Sequence, residues 1–158
     1  PLTGRVLCIG TLSQVEDGEP ALTFFDSQNE ADLLTLFWQW LAKGRNEAWR
    51  RFVTHNGVAF DWPFLVRRSW ACNVPAPKGL FARYDRMDDQ FADTMLAFGC
   101  GDRTVRISLD NLARFLGVGR KTGSGAAFAA LWASDQAKAL TYLENDLRLC
   151  MAIAERIL

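Results

Sequence analysis

The sequence predicts one α/β domain in which short apolar strands alternate with amphipathic helices. Its 158 residues are 49% hydrophobic and 12% aromatic, which describes a packed core and excludes disorder. That length suits one domain and is short for two. Along the chain come two strand-like runs, a helix, another strand, another helix and then terminal helices. We therefore expect residues 1–158 to form a single domain.

The first two strands are expected to form an antiparallel hairpin. Residues 5–12 are rich in branched apolar side chains and predict a buried strand. Residues 16–20, Glu-Asp-Gly-Glu-Pro, predict a turn, and residues 21–25 predict the second strand.

A capped helix follows this hairpin. Ser27 and Glu30 have the spacing of a capping box, so the helix is expected to begin there and to end at Gly44, after about Lys43. Its apolar residues lie at helical spacing and predict one buried face, made of Leu33, Leu34, Phe37, Trp40 and Leu41.

The middle of the chain combines a strand, a polar loop and a helix. Residues 51–55 predict a third strand that leads directly into the loop ending at Asp61. Pro63 suits the first turn of a helix expected to continue to about Ala71. Residues 75–79 predict a connector, and residues 84–89 form a charged segment.

The C-terminal half is expected to be mostly helical. Ser108 predicts the start of a helix over Leu109–Leu116, which Gly117 ends. Residues 120–125 predict a flexible basic loop, and Ser134 is expected to cap the longest helix, which runs to the C-terminus. The apolar stripe of that helix is predicted to be Leu143, Leu147, Cys150, Met151 and Ala154.

Charge and cysteine content narrow the class of protein. Eighteen basic and eighteen acidic residues cancel, so no global field attracts the chain to nucleic acid or to an anionic membrane. Four scattered cysteines predict free thiols in a reducing compartment, and a single histidine argues against a zinc site. With no signal-peptide pattern and no membrane-length apolar run, a cytoplasmic protein is expected.

Two motifs far apart in the chain carry the functional signal. The first is the segment Asn-Gly-x-x-Phe-Asp, which runs from Asn56 to Asp61 directly after a predicted strand. The second is Tyr-x-x-x-Asp, from Tyr142 to Asp146, on the last predicted helix. Together they resemble motifs II and III of the DEDD-type 3′–5′ exonucleases. Because motif III begins with a tyrosine, the chain most resembles the tyrosine-bearing branch of these exonucleases, which includes the proofreading domain of family B DNA polymerases.

The resemblance implies an RNase H-like fold, a mixed sheet flanked by helices. The hairpin would then be its second and third strands, and the first strand, with its Asp-x-Glu motif I, is missing from the chain. We expect the natural protein to extend further toward its N-terminus; a degenerate family member is the rival explanation. Without motif I, the chain as given is expected to be inactive or nearly so.

The same resemblance implies a two-metal hydrolysis of phosphodiester bonds with Mg²⁺ or Mn²⁺, ions that prefer carboxylate oxygens. Asp61 and Asp146 would bind the metal ions, and Tyr142 would orient the attacking water. Asp93, between the two motifs, is expected to support the site and not to bind metal. Substrate contacts are expected from Asn56, Gly57 and Phe60.

The predicted activity is therefore that of a 3′–5′ exonuclease acting on nucleic acid with a free 3′ end, with DNA favoured over RNA. Repair or replication proteins are candidate partners, and no association with a membrane is expected. An inactive RNase H-like module that binds nucleic acid or serves as a scaffold is the alternative. A small-molecule α/β enzyme is disfavoured because the chain has neither Gly-x-Gly-x-x-Gly nor a nucleophile elbow.

Each motif residue also has an ordinary structural interpretation. Asp61 suits a helix N-cap, Tyr142 a partly buried aromatic residue and Asp146 a solvated helix position. Four basic residues are candidates to bind phosphate but are also typical of a charged surface: Arg67, Arg68, Arg120 and Lys121.

Overall fold

A computed structural model of the chain describes residues 4–14, 18–46, 52–76 and 91–158. It divides into two compact units. The first comprises residues 1–9 and 25–93, and the second residues 10–24 and 94–158. The charged segment 84–89 and parts of the predicted turn and connector lie outside the described residues. The prediction of a single domain over 1–158 stays a prediction.

The described residues form a mixed α/β structure with six α-helices and two small sheets, so the α/β prediction is confirmed at this level. None of these helices is both long enough and apolar enough to cross a membrane. The elements are β1 (Cys8–Ser13), β2 (Ala21–Asp26), α1 (Glu30–Asn46), β3 (Phe52–Thr54), α2 (Asp61–Ala71), β4 (Phe91–Asp93), α3 (Thr94–Phe98), α4 (Leu109–Leu116), a 3₁₀ turn (Gly125–Ala127), α5 (Phe128–Ser134) and α6 (Gln136–Ile157).

Helix α1 begins as predicted but not by the predicted bonds. Ser27 Oγ accepts the Asn29 N–H, and Asn29 Oδ1 accepts the Ala31 N–H, so Asn29 is the residue that caps the helix. The capping-box prediction is therefore wrong, and the Glu30 carboxylate is used elsewhere. The prediction that Gly44 ends the helix is also wrong, since a single glycine weakens a helix by only about 1 kcal/mol.

Helices α1 and α2 form the core of the first unit. Trp38 is buried in addition to the predicted face, and its indole Nε1 donates a hydrogen bond to Ser69 Oγ at 2.8 Å. Trp40, which the sequence predicted to be buried, is half-buried against the same core. The other four predicted positions of α1 are buried, and the core comprises Val6, Leu33, Leu34, Phe37, Trp38, Leu41, Trp62, Leu65 and Val74.

Strands β1 and β2 pair in one two-stranded sheet, as the hairpin prediction required. Strands β3 and β4 form the other, a parallel pair with Phe52 opposite Phe91 and Thr54 opposite Asp93. Because parallel strands end at the same edge of a sheet, the loop after β3 starts beside the end of β4.

In the second unit, the predicted ends of α4 match the structure, whereas the predicted start of α6 does not. Ser108 accepts the Asn111 N–H and Gly117 adopts a left-handed conformation, so both predicted ends of α4 are confirmed. Ser134 instead ends α5, a helix the sequence did not predict, and Asp135 caps α6 by accepting the Lys138 N–H. The predicted stripe of α6 is only half-buried; its buried residues are Ala139, Tyr142, Leu149 and Ile153.

Candidate active site

The loop between β3 and α2 presents Asp61 at the first position of a helix. Asn56 has a left-handed backbone with φ of 64°, which turns the chain away from the strand. The Phe60 N–H then donates to the Asn56 carbonyl at 3.0 Å, and the Trp62 N–H donates to the Gly57 carbonyl at 3.0 Å. These bonds wind the loop into α2, so Asp61 is the first helical residue and Phe60 the N-cap position.

The carboxylate of Asp93 anchors this loop. Its Oδ1 accepts the Asn56 N–H at 2.9 Å and its Oδ2 accepts the Val58 N–H at 3.2 Å. Asp93 is fully buried and ends β4, directly beside Thr54 in the parallel register. The supporting position that the sequence predicted for Asp93 thus has a structural basis: its side chain satisfies two loop amides.

Gly57 is where the loop packs most tightly. A Cβ atom at this position would lie 2.5 Å from Thr54 Oγ1, a distance that real side chains do not tolerate. The residue is buried, so packing in this loop requires the glycine of the first motif.

The surroundings of Asp61 disfavour the ionised form of its carboxyl group. Its side chain is reached by solvent, yet desolvation by the crowded loop, followed by the nearby negative charge of Asp93, raises the pKa of its carboxyl above the ordinary value. The bond from its own backbone N–H opposes this shift and does not cancel it. A carboxylate under such strain is typical of binding and catalytic sites.

An aromatic pair adjoins Asp61, made of the exposed Phe60 and the half-buried Phe64. Phe60 is 57% exposed, and its ring stacks on that of Phe64 with parallel planes and centroids 6.0 Å apart. An exposed, supported ring of this kind offers a flat apolar face beside a carboxylate.

In the second unit, Tyr142 and Asp146 lie one turn apart on α6. Tyr142 is buried, 7% exposed, and its Oη lies near Lys121 and Asp146 but meets neither in good hydrogen-bond geometry. Asp146 Oδ1 is likewise buried without a hydrogen-bond partner in the described part of the chain. Burying a polar atom without a partner is unfavourable by about 1–3 kcal/mol, so two such atoms together mark a place suited to a ligand.

The other oxygen of Asp146 is bound by Lys121. Lys121 Nζ lies 2.5 Å from Asp146 Oδ2, and 5.1 Å from the centre of the Tyr142 ring. Partial burial disfavours the ammonium ion, but the Asp146 carboxylate and the neighbouring Tyr142 hydroxyl outweigh it and raise the pKa of Lys121. Burial raises the pKa of Tyr142, so its hydroxyl stays protonated at neutral pH.

The structure thus groups four of the six predicted site residues, Asn56, Gly57, Phe60 and Asp61, on one loop of the first unit. The other two, Tyr142 and Asp146, lie together on α6 of the second.

The available donors fit a hard divalent ion such as Mg²⁺ or Mn²⁺. In the second unit, Asp146 Oδ1 has no hydrogen-bond partner among the described residues, and carboxylate oxygens are the ligands that such ions prefer. In the first unit, Asp61 is an exposed carboxylate of the same chemical type. Within the four described ranges, no three His, Cys, Asp or Glu side chains cluster closely enough to hold a metal ion by themselves.

The sequence predicts that Lys121 and Arg68 either bind phosphate or are ordinary surface charges. The structure gives each an acidic partner: Lys121, in its loop, is paired with Asp146, and Arg68 binds Glu30 through two nitrogens. Neither ion pair could be predicted from the sequence, because the spacing between two charged residues far apart in the chain does not reveal whether they meet in the fold.

Comparison with known proteins adds one finding. The family model described as "predicted 3′-5′ exonuclease related to the exonuclease domain of PolB" matches residues 3–148 and thus covers both motifs. No curated protein matches the chain.

Proposed function

The chain belongs to this family of predicted 3′–5′ exonucleases, and on that premise we propose that it is a divalent-metal-dependent enzyme that removes nucleotides from single-stranded or frayed 3′ ends of DNA. The proposal includes an RNase H-like arrangement of one domain over residues 1–158.

The observation that carries this proposal is a pair of buried atoms on α6 that have no well-formed hydrogen bond within the described residues. Tyr142 Oη and Asp146 Oδ1 are polar, buried and adjacent along one helix face. Asp146 Oδ2 pairs with Lys121, but Oδ1 and the Tyr142 hydroxyl make no well-formed hydrogen bond within the described residues. A ligand that bonds to both atoms would offset the unfavourable burial.

We assign Asp61 and Asp146 to metal binding with Mg²⁺ or Mn²⁺, whose preferred ligands are carboxylate oxygens. Such ions, when bound, make water nucleophilic at neutral pH and neutralise the charge that develops on the leaving oxygen. The raised pKa of Asp61 supports its assignment, since a nearby cation would relieve the repulsion from Asp93.

Tyr142 is assigned the role of orienting the attacking water. A tyrosine hydroxyl is protonated at neutral pH, and burial raises the pKa of Tyr142 further, so Oη can donate a hydrogen bond but is a poor base. Lys121 holds Asp146 Oδ2, which leaves Oδ1 as the oxygen available to a ligand.

Substrate binding is assigned to the loop that carries Asp61. The exposed Phe60 ring, supported by Phe64, is suited to stack on the terminal nucleotide, an interaction worth about 1–3 kcal/mol per base. Asn56 and Gly57 bring the same loop close to the phosphate.

A gel time course on 5′-labelled single-stranded DNA with Mn²⁺ tests the function, using the wild-type chain in its longest natural form. We expect a ladder that shortens from the 3′ end, stops on addition of EDTA and is absent for Asp146→Asn. Glu144→Gln is the matched control: it removes a carboxylate from the same helix whose side chain pairs with Arg148 at the surface. This control should cleave like the wild type.

A ladder that survives Asp146→Asn would overturn the site assignment. No cleavage by the wild type, combined with specific retention of 3′-ended DNA, would identify the inactive binding module instead. The same assay on RNA of matched sequence tests the preference for DNA.

A further inference from the structure

The segment between α4 and the 3₁₀ turn is bonded to both α4 and α6. Lys121 N donates to Asp110 Oδ1 on α4 at 2.7 Å, and Thr122 N donates to Asn145 Oδ1 on α6 at 3.2 Å. The Lys121 side chain then reaches Asp146. Three polar contacts, two of Lys121 and one of Thr122, therefore hold a loop that its composition predicts to be flexible.

Two glycines let this segment lie flat against α6. Gly119 has φ of 142°, and a Cβ atom there would come within 2.8 Å of the Leu149 side chain. A Cβ at Gly123 would lie 3.2 Å from the Tyr142 ring. Close packing before and after Lys121 restricts where its backbone can be.

The backbone position of Lys121 determines whether its ammonium meets Asp146. A free lysine side chain loses rotamer entropy when it is held in one geometry, and an unanchored backbone would add to that loss. The hydrogen bond from the Lys121 amide to Asp110 already holds the backbone, so the ion pair does not have to offset the entropy lost by the backbone. That bond is also the first cause that lowers the pKa of Asp110, ahead of the neighbouring Arg114.

We propose that Asp110 is a positioning residue of the Tyr142–Asp146 site: by accepting the Lys121 N–H, it places the Lys121 ammonium on Asp146. Its effect on cleavage rests on the proposed function, whereas its effect on Lys121 does not. Asp110 lies on α4, outside both sequence motifs, and touches none of the proposed ligands.

The first test is NMR of the Lys121 ammonium in ¹⁵N-labelled protein, which is independent of activity. In the wild type we expect a slowly exchanging signal that Asp146→Asn removes and thereby identifies. Asp110→Ala should shift it toward the position of solvent-exposed lysines. Arg114 is the other partner of Asp110: its side chain is mostly exposed, and its Nε lies 3.0 Å from Asp110 Oδ2. Arg114→Ala should leave the Lys121 signal unchanged.

An ammonium signal unchanged in folded Asp110→Ala would overturn the proposal. If that variant does not fold, Asp110→Asn decides the matter, because it keeps the Oδ1 acceptor and should preserve the signal. Loss of the signal in folded Asp110→Asn would show that charge, and not the amide bond, is what matters, and would also overturn it.

The second test is a double-mutant cycle on cleavage with Asp110→Ala and Lys121→Met. Asp110→Ala should lower kcat about tenfold with little change in KM, a typical effect of residues that orient a metal ligand. In the Lys121→Met background it should change kcat by less than about twofold. Additive effects would overturn the proposal. A wild type without nuclease activity would reject the proposed function, and the NMR result would still decide the role of Asp110.

Discussion

Asp93 Oδ1 accepts the backbone N–H of Asn56 at 2.9 Å, so a carboxylate at the end of one strand holds the turn that leaves the neighbouring strand. The parallel register of β3 and β4 makes this possible, because it places Thr54 opposite Asp93. The consequence is that the loop carrying Asp61 depends on a residue more than thirty positions later in the sequence.

We expect Asp93→Ala to destabilise the fold by about 2–5 kcal/mol, since it removes a fully buried carboxylate and leaves two partly buried loop amides without their acceptor. Urea unfolding followed by tryptophan fluorescence measures this. Asp102→Ala is the matched control, because Asp102 also accepts a backbone amide, that of Thr104, but on the surface. A loss no larger than that of the control would contradict the anchoring role.

We expect Asp61→Asn to raise the melting temperature at pH 7. The folded state raises the pKa of Asp61 above 3.8, so ionisation disfavours folding, and stability falls as pH rises through that range. Solvent reaches the side chain and screens the effect, so the gain should be at most a few degrees.

The advantage of Asp61→Asn should vanish in acid, below the ordinary pKa of 3.8, where the wild-type carboxyl is protonated in both states. Thermal unfolding across pH 3–8 with EDTA checks it. A variant less stable than the wild type at pH 7 would show that Asp61 serves the fold.

We expect Tyr142→Phe to keep or increase stability while abolishing most cleavage. The substitution removes a buried hydroxyl that makes no well-formed hydrogen bond to the described residues, which should stabilise the protein by up to about 1 kcal/mol. Urea unfolding and the 3′-end assay on the same preparation measure both. Tyr142→Ala is the contrasting variant, because it also removes the ring that Lys121 and Phe128 contact and should be clearly destabilised.

We expect Glu30→Gln to lower stability by about 1.5–3 kcal/mol at pH 7. Glu30 accepts two bonds from Arg68, at 2.9 and 2.7 Å, and one from the Val6 N–H at 2.6 Å. Glu144→Gln, in a more exposed pair with Arg148, should lose less than about 1 kcal/mol.

The pH dependence of the Glu30 pair has the opposite sign to that of Asp61. Burial alone would raise the pKa of Glu30, but Arg68 and the Val6 amide outweigh it and lower the pKa below 4.5. The stabilisation is therefore complete above that value and is lost as pH falls through the lowered pKa. The difference between wild type and Glu30→Gln should shrink accordingly, and a constant difference down to pH 2 would contradict this interpretation.

The sequence by itself determined the elements whose signals are local. The limits of α2 and α4 follow from Pro63, Ser108 and Gly117, because helix ends depend on side chains within a few residues. Local signals failed where two adjacent residues compete, as at Ser134 and Asp135, since either can cap a helix. The two motifs, and with them the family, were also readable from the chain alone.

Only the tertiary structure decided how those motifs are supported. Asp93 meets Asn56, Lys121 meets Asp146, and Glu30 meets Arg68 across gaps of 37, 25 and 38 residues. Such partners are brought together by strand register and helix packing, and no periodicity or spacing in the sequence encodes which acidic group meets which donor. The burial of Tyr142 Oη and Asp146 Oδ1 without a hydrogen-bond partner among the described residues was also not predictable from the sequence, because it depends on the folded surroundings of each residue.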